Sequence, residues 1–152
     1  MAGAAACTTG GVRPRYGALP EAVVVAQIIR TPTLVIGDVE AAVRGAGLAV
    51  ARYAPAEGFL ETRWFDVTTR AVTKPPYTRL DQIIRLRFFA DPDQGKTRLV
   101  AEAVQMIAWD TSLPERDLER MVPATHPGRL LLDSLLAPLR PDTTTGGPPL
   151  RP

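Results

Sequence analysis

Residues 81 to 109 read DQIIRLRFFADPDQGKTRLVAEAVQMIAW, two runs rich in β-branched and aromatic residues on either side of Asp-Pro-Asp-Gln-Gly-Lys. A proline early and a glycine late in the six-residue connection are turn chemistry, so Asp81 to Ala90 and Thr97 to Trp109 are expected to pair as an antiparallel hairpin. Within the first run Ile84, Leu86 and Phe88 alternate with Arg85 and Arg87. A period of two puts the apolar set on one face and the guanidiniums on the other, so the sheet is expected to have one covered face and one wet face.

A second hairpin precedes it. Leu48 to Tyr53 and Phe59 to Val67 alternate in the same way and are joined by Ala-Pro-Ala-Glu-Gly, with Pro55 and Gly58 as turn residues. Upstream, Val35, Val39, Ala42, Val43 and Ala46 recur at helical spacing, Glu40 and Arg44 stand four apart, and Gly47 supplies a stop. This helix begins near Thr33, unless Gly37-Asp38 caps it and leaves residues 34 to 36 extended. Glu21 to Arg30, between Pro20 and Pro32, is β-branched enough for a strand, with a short buried helix as the rival reading. After Trp109 the pattern turns helical. Ser112 or Pro114 opens a short segment to Met121, and residues 128 to 138 carry Leu131, Leu132, Leu135 and Leu136, with Leu139 continuing the stripe. Such a stripe requires a sheet to lie on.

These elements predict an α+β domain over residues 21 to 140: a curved antiparallel sheet of two hairpins plus an N-terminal strand, packed on a short helix and a long C-terminal helix. Residues 1 to 20, small residues followed by Gly, Pro and Arg, read as a leader remnant and flexible linker. Residues 141 to 152, PDTTTGGPPLRP, have nothing to bury and are expected to be disordered. Eighteen Lys and Arg against sixteen Asp and Glu leave a net charge of only +2, and the signs interleave at Glu61/Arg63, Asp81/Arg85 and Glu115/Arg116/Asp117. That pattern indicates a solvated surface and argues against a nucleic-acid footprint. Lysine occurs only at positions 74 and 96 and asparagine is absent, the signature of a GC-rich genome. No apolar run reaches the length that spans a bilayer.

Few residues offer chemistry. Gly95-Lys96-Thr97 has the ending of a phosphate-binding loop, but the glycine required five positions before the Gly-Lys pair is Ala90, so the triplet reads as a hairpin tip. His126, the single histidine, has no nucleophile or carboxylate placed beside it in sequence and reads as a loop or helix-start residue. Carboxylates are scattered and there is one cysteine, so neither a metal site, a cofactor nor a disulfide framework is expected. Aromatics beside arginines, at Trp64-Phe65 and Phe88-Phe89, are expected to be core.

Cys7 is the exception. Ala4-Ala5-Ala6-Cys7 followed by Thr8-Thr9-Gly10-Gly11 resembles the lipobox of bacterial lipoproteins, although Ala4 stands where a leucine-like residue is usual and the basic and apolar parts of a signal sequence would have to lie upstream of Met1. The resemblance implies lipidation at Cys7, and Thr8 after the cysteine implies delivery to the outer membrane, on its periplasmic face. Without an upstream signal the protein would be cytoplasmic. Residues 38 to 66, DVEAAVRGAGLAVARYAPAEGFLETRWFD, are further similar to the helix, strand, strand unit of the lipoprotein C subunit of the β-barrel assembly machinery. Those domains have a helix-grip fold, in which a curved sheet wraps a long C-terminal helix, here residues 128 to 138.

The function expected from these readings is a non-enzymatic lipoprotein of the cell envelope that binds another envelope protein by a sheet edge, the groove beside its helix or its Pro-rich tail. The alternative is a carrier of a small apolar ligand, which would keep a hollow lined by Ile84, Leu86, Leu131 and Leu135, whereas an interaction module would pack those four solidly.

Overall fold

The structure, a computed structural model, describes residues 11 to 142. The chain forms an α+β fold: a seven-stranded antiparallel sheet with two helices packed on it. The strands are β1 (Val23–Ile28), β2 (Val50–Ala54), β3 (Phe59–Thr62), β4 (Phe65–Asp66), β5 (Ile83–Asp93), β6 (Lys96–Met106) and β7 (Glu119–Met121), and the helices are α1 (Pro32–Gly45) and α2 (Pro127–Leu136). Strand order is β1-β6-β5-β3-β2, with β4 added to β5 and β7 to β6, so β1 and β2 are the outer strands.

The expected central hairpin is present, and its turn is tighter than the six-residue loop read from sequence. Asp93 pairs with Lys96, leaving only Gln94 and Gly95 to turn the chain, both at positive φ (50° and 80°). Two left-handed residues match the twist of paired strands, and Gly95 takes that conformation without a Cβ penalty. In the β2–β3 hairpin Pro55–Glu57 form a 3-10 turn and Gly58 follows at φ 65°. Gly58 cannot be replaced cheaply, because a Cβ there would lie 2.0 Å from the Ala90 carbonyl oxygen.

Thr31 caps α1 by accepting from the Leu34 N–H, and Pro32 occupies the first turn, which excludes the alternative start at Gly37-Asp38. Val35, Ile36, Val39 and Val43 face the sheet, and Gly47 at φ 80° lets the chain leave after Ala46. α2 buries Leu131, Leu132, Leu135 and Leu136 and runs into a 3-10 turn at Ala137–Leu139. Both helices lie on the face formed by Leu60, Ile84, Leu86, Phe88, Ala90, Leu99, Ala101 and Ala103, and together they make the main core.

Four expectations are corrected, the first being the relative length of the helices: α1, expected to be the short one, has 14 residues, and the C-terminal α2, expected to be the long one, has 10 before its 3-10 turn. The segment from Ser112 to Met121 is not helical beyond a 3-10 turn at Glu115–Leu118; its end becomes β7, because β6 still has an unpaired stretch at Val104 to Met106 to which it can bond. The second face of the sheet is not wet: Arg87 is 1% exposed, and Glu61 and Glu102 beside it are buried. Residues 12 to 20, read as flexible linker, supply the cover: Val12 and Arg13 N–H groups donate to Glu57, and Leu19 N–H to Glu102. The charges at Glu61 and Arg85 are therefore not the solvated surface their interleaving suggested.

Candidate functional site

The residues singled out by sequence fall in separate places. Cys7 lies outside the described residues, as does the chain beyond Asp142. Ile84, Leu86, Leu131 and Leu135 do come together, as parts of one buried apolar cluster. Helix and sheet meet there without a gap at their closest point, since a Cβ added to Gly128 would stand 2.5 Å from Ile84 Cδ1. Of the four, Leu135 alone also touches a surface groove. His126 caps α2: its Nδ1 accepts from the Gly128 N–H at 3.0 Å and its Nε2 lies 2.7 Å from the Asp81 carbonyl oxygen, which can only accept, so the proton sits on Nε2. Both ring nitrogens are occupied in joining α2 to the start of β5. Gly95-Lys96-Thr97 enters a strand, and Thr97 Oγ1 donates to the Arg30 carbonyl at 2.5 Å.

The sequence reading missed a charge network on the face covered by residues 12 to 20, the strap. Register creates it: Glu61 of β3 stands opposite Arg87 of β5, which stands opposite Glu102 of β6. Arg87 donates through Nη1 and Nη2 to both oxygens of Glu119 at 2.5 and 2.6 Å, and through Nε to Glu61. Arg116 grips Glu102 at 2.8 and 2.9 Å, reaches Glu119 at 3.0 Å, and donates to the Gly17 carbonyl at 2.8 Å. Arg52 holds Glu61 from the rim at 2.9 and 3.0 Å.

Tyr16 lies over two guanidiniums, 4.3 Å from Arg116 and 5.5 Å from Arg87. Burial pushes its phenol above the ordinary value, with Arg87 opposing. Burial alone would raise the Glu119 carboxyl, but the bonds and charges of Arg87 and Arg116 outweigh it and hold the group below the usual carboxylate range. Burial likewise opposes the charge on Arg87, and Glu119 and Glu61 more than compensate, so its guanidinium is held above its ordinary value. Glu119 is thus held as an ion by Arg87 and Arg116, and through those two arginines the network joins the strap, β3, β5, β6 and β7. The signal available in sequence was Arg85 and Arg87 inside a strand flanked by apolar runs; what sequence lacked was the location of the strap.

Two features suit binding a partner. β1 is an outer strand whose pairing with β6 is interrupted between Val25 and Ile28, where Gln27 takes φ 63°. Beside its end a groove of about 600 Å³ is lined by Ile28, Ile29, Ala42, Leu135, Pro138 and Leu139, with the Arg30–Asp38 ion pair on its rim. Ile29 is 82% exposed there. Among the described residues no group of His, Cys, Asp and Glu is arranged to hold a metal, and no helix is long and apolar enough to cross a membrane. No protein-family profile matches the sequence, and no curated protein matches it either.

Proposed function

We propose that this chain is a non-enzymatic interaction module of the cell envelope, attached to the outer membrane through a lipidated Cys7, and that it takes an apolar segment of a partner protein into the groove beside β1 and α2. The observation that carries this reading is a contrast in packing. The inner faces of sheet and helices close on one another at Ile84, Leu86, Leu131 and Leu135, while Ile29 stands almost fully in solvent next to a ready-made apolar groove. Exposed apolar surface on an otherwise well-packed domain marks an interaction site. The outer edge of β1 adds unpaired backbone groups beside it, the feature used when an extended peptide extends a sheet.

The helix-grip relationship to the lipoprotein C subunit belongs to the same proposal. It is supported by the element order and by a C-terminal helix laid across an antiparallel sheet. The ligand-carrier alternative is disfavoured by the packing of the four residues that would line its hollow.

The test is expression in the native host from a reading frame extended upstream of Met1, with a photo-crosslinking residue at position 29 and a control at exposed Arg98. A discrete adduct at 29 but not at 98, with the protein in the outer-membrane fraction and released from it by Cys7→Ser, is the expected result. A free thiol at Cys7, soluble protein and no adduct would refute the proposal.

A further inference from the structure

The end of the sheet away from the β5–β6 turn carries a second, unassigned surface. A cavity of about 360 Å³ is lined by Arg63, Trp64, Thr73, Lys74, Tyr77 and Arg85, with no carboxylate in its wall. Arg63 and Lys74 make no ion pair among the described residues and are exposed. Arg85 stacks 4.5 Å above the Trp64 ring, and Glu115 takes its Nη1. Its Nε, a donor, and the Thr73 hydroxyl, which can donate or accept, are buried without a hydrogen-bond partner. Of the nearby acids Glu115 is paired with Arg85 and also accepts from Trp64 Nε1, whereas Asp110 and Asp66 accept from neutral donors alone and keep their charge, so the basic character is local to the cavity and its Arg63, Lys74 and Arg85.

The rim is apolar. Tyr77 meets Trp109 edge to face at 5.0 Å, tying the loop at 72 to 77 to the loop at 107 to 113. The latter exposes Ile107 (47%), Trp109 (39%) and Leu113 (49%), three large apolar side chains within seven residues.

We propose that this end lies on an anionic lipid surface, with a phosphate headgroup at Arg63, Lys74 and the mouth of the cavity, and Trp109, Ile107 and Leu113 entering the boundary between headgroups and acyl chains. Tryptophan and tyrosine are amphipathic and favour that boundary, and Lys and Arg beside them meet the phosphates. A bilayer accepts side chains from loop tips without a complementary groove, which fits residues presented on two loops better than a protein partner does. The proposal does not rest on the lipid anchor.

The test uses the full chain with Cys7→Ser, so that no anchor contributes. Its two tryptophans are Trp64, buried, and Trp109, exposed, so both emit but a shift on adding vesicles reports chiefly on Trp109. Vesicles of phosphatidylglycerol and phosphatidylcholine should shift the emission to the blue and sediment the protein, and pure phosphatidylcholine should do so weakly. Each cation lost should weaken binding about fivefold, so Arg63→Gln with Lys74→Gln should cost roughly 25-fold. Trp109→Ser should cost at least about tenfold. Both variants change exposed or half-exposed groups, and an unaltered thermal transition verifies their folding. No sedimentation with anionic vesicles, or sedimentation that neither variant reduces, overturns the proposal. Saturable binding of inorganic phosphate without vesicle binding would assign the cavity to a soluble anion instead. Silence on vesicles with one-to-one binding of an acidic, tryptophan-containing peptide would assign the surface to a protein partner.

Discussion

Replacing Arg87 by methionine tests the charge network directly. The substitution keeps length and removes three donated bonds, two to Glu119 and one to Glu61, at a site that is 1% exposed. Glu61 retains Arg52 and Glu102 retains Arg116, but Glu119 is left with a single bond from Arg116 that is shared with Glu102. Removing one partner from a buried ion pair costs about 3 to 5 kcal/mol. For a domain of this size that corresponds to a fall in Tm of roughly 10 to 20 °C.

The sign of the pH dependence follows from Glu119. In the natural protein its pKa is depressed, so its contribution is present above the ordinary carboxylate range and disappears as pH falls through the folded value. In the variant burial is much less opposed and the folded value moves up toward or past the ordinary one, so the stability that the natural protein gains as pH climbs through that range is reduced or reversed. Both effects widen the gap toward pH 7 and narrow it below about pH 4.3. Adding Glu119→Leu to Arg87→Met leaves every remaining carboxylate with an arginine, and should recover at least about half of the loss in a double-mutant cycle. Chemical denaturation of the four proteins at several pH values supplies the numbers. A single variant within about 1 kcal/mol of the natural protein at pH 7, or a gap that does not change with pH, would refute this reading of the network.

Gly58→Ala combines a left-handed backbone with a Cβ 2.0 Å from the Ala90 oxygen, and should cost about 2 kcal/mol or more, read from the denaturation midpoint. Leu135→Ala should cost about 2 to 5 kcal/mol as a buried truncation, and a loss under about 1 kcal/mol would indicate a loose sheet–helix contact. Deleting residues 128 to 152 removes four buried leucines and should abolish the cooperative thermal transition, whereas deleting 143 to 152 should leave it within about 2 °C.

The elements whose periodicity is local were legible in the sequence: α1 with its valine repeat, the β5–β6 hairpin around Gly95, and the leucines of α2. Elements defined by partners were not. Residues 119 to 121 become a strand because β6 outruns β1 and leaves backbone groups to pair, and nothing in Glu-Arg-Met announces that. Arginine alternating with leucine along β5 correctly indicated two faces. It misled about water because the cover, residues 12 to 20, comes from a stretch whose composition reads as linker and which is held by side chains scattered from Glu57 to Arg116. The aromatic and basic end shows the same limit, since Trp64, Tyr77 and Trp109 are far apart in sequence and adjacent only once the sheet has formed.

The strap also constrains the anchorage proposed through Cys7. Read as a flexible spacer, the residues from Cys7 to Glu21 would reach about 50 Å when extended. With Val12 and Arg13 bound to Glu57 and the Arg13 guanidinium on Asp91 at 2.8 and 2.9 Å, only the five peptide units from Cys7 to Val12 remain, a span of at most about 17 Å. This clasp is at the β5–β6 turn end of the sheet. The lipid surface proposed at Trp109 is beyond Ile83, at the other end of β5, some 30 Å away by strand rise. A domain standing upright on so short a tether would hold Trp109 far from the bilayer that carries the anchor. Both contacts are made on one membrane only if the strands lie roughly parallel to its plane. A nitroxide at Asp93→Cys reports the turn end and one at Arg79→Cys the aromatic end, because a lipidated Cys7 carries no free thiol. On anionic vesicles both labels should be relaxed by a headgroup-bound paramagnetic lipid. Relaxation at position 93 alone would mean an upright domain, and would show that anchor and aromatic end do not act on the same bilayer.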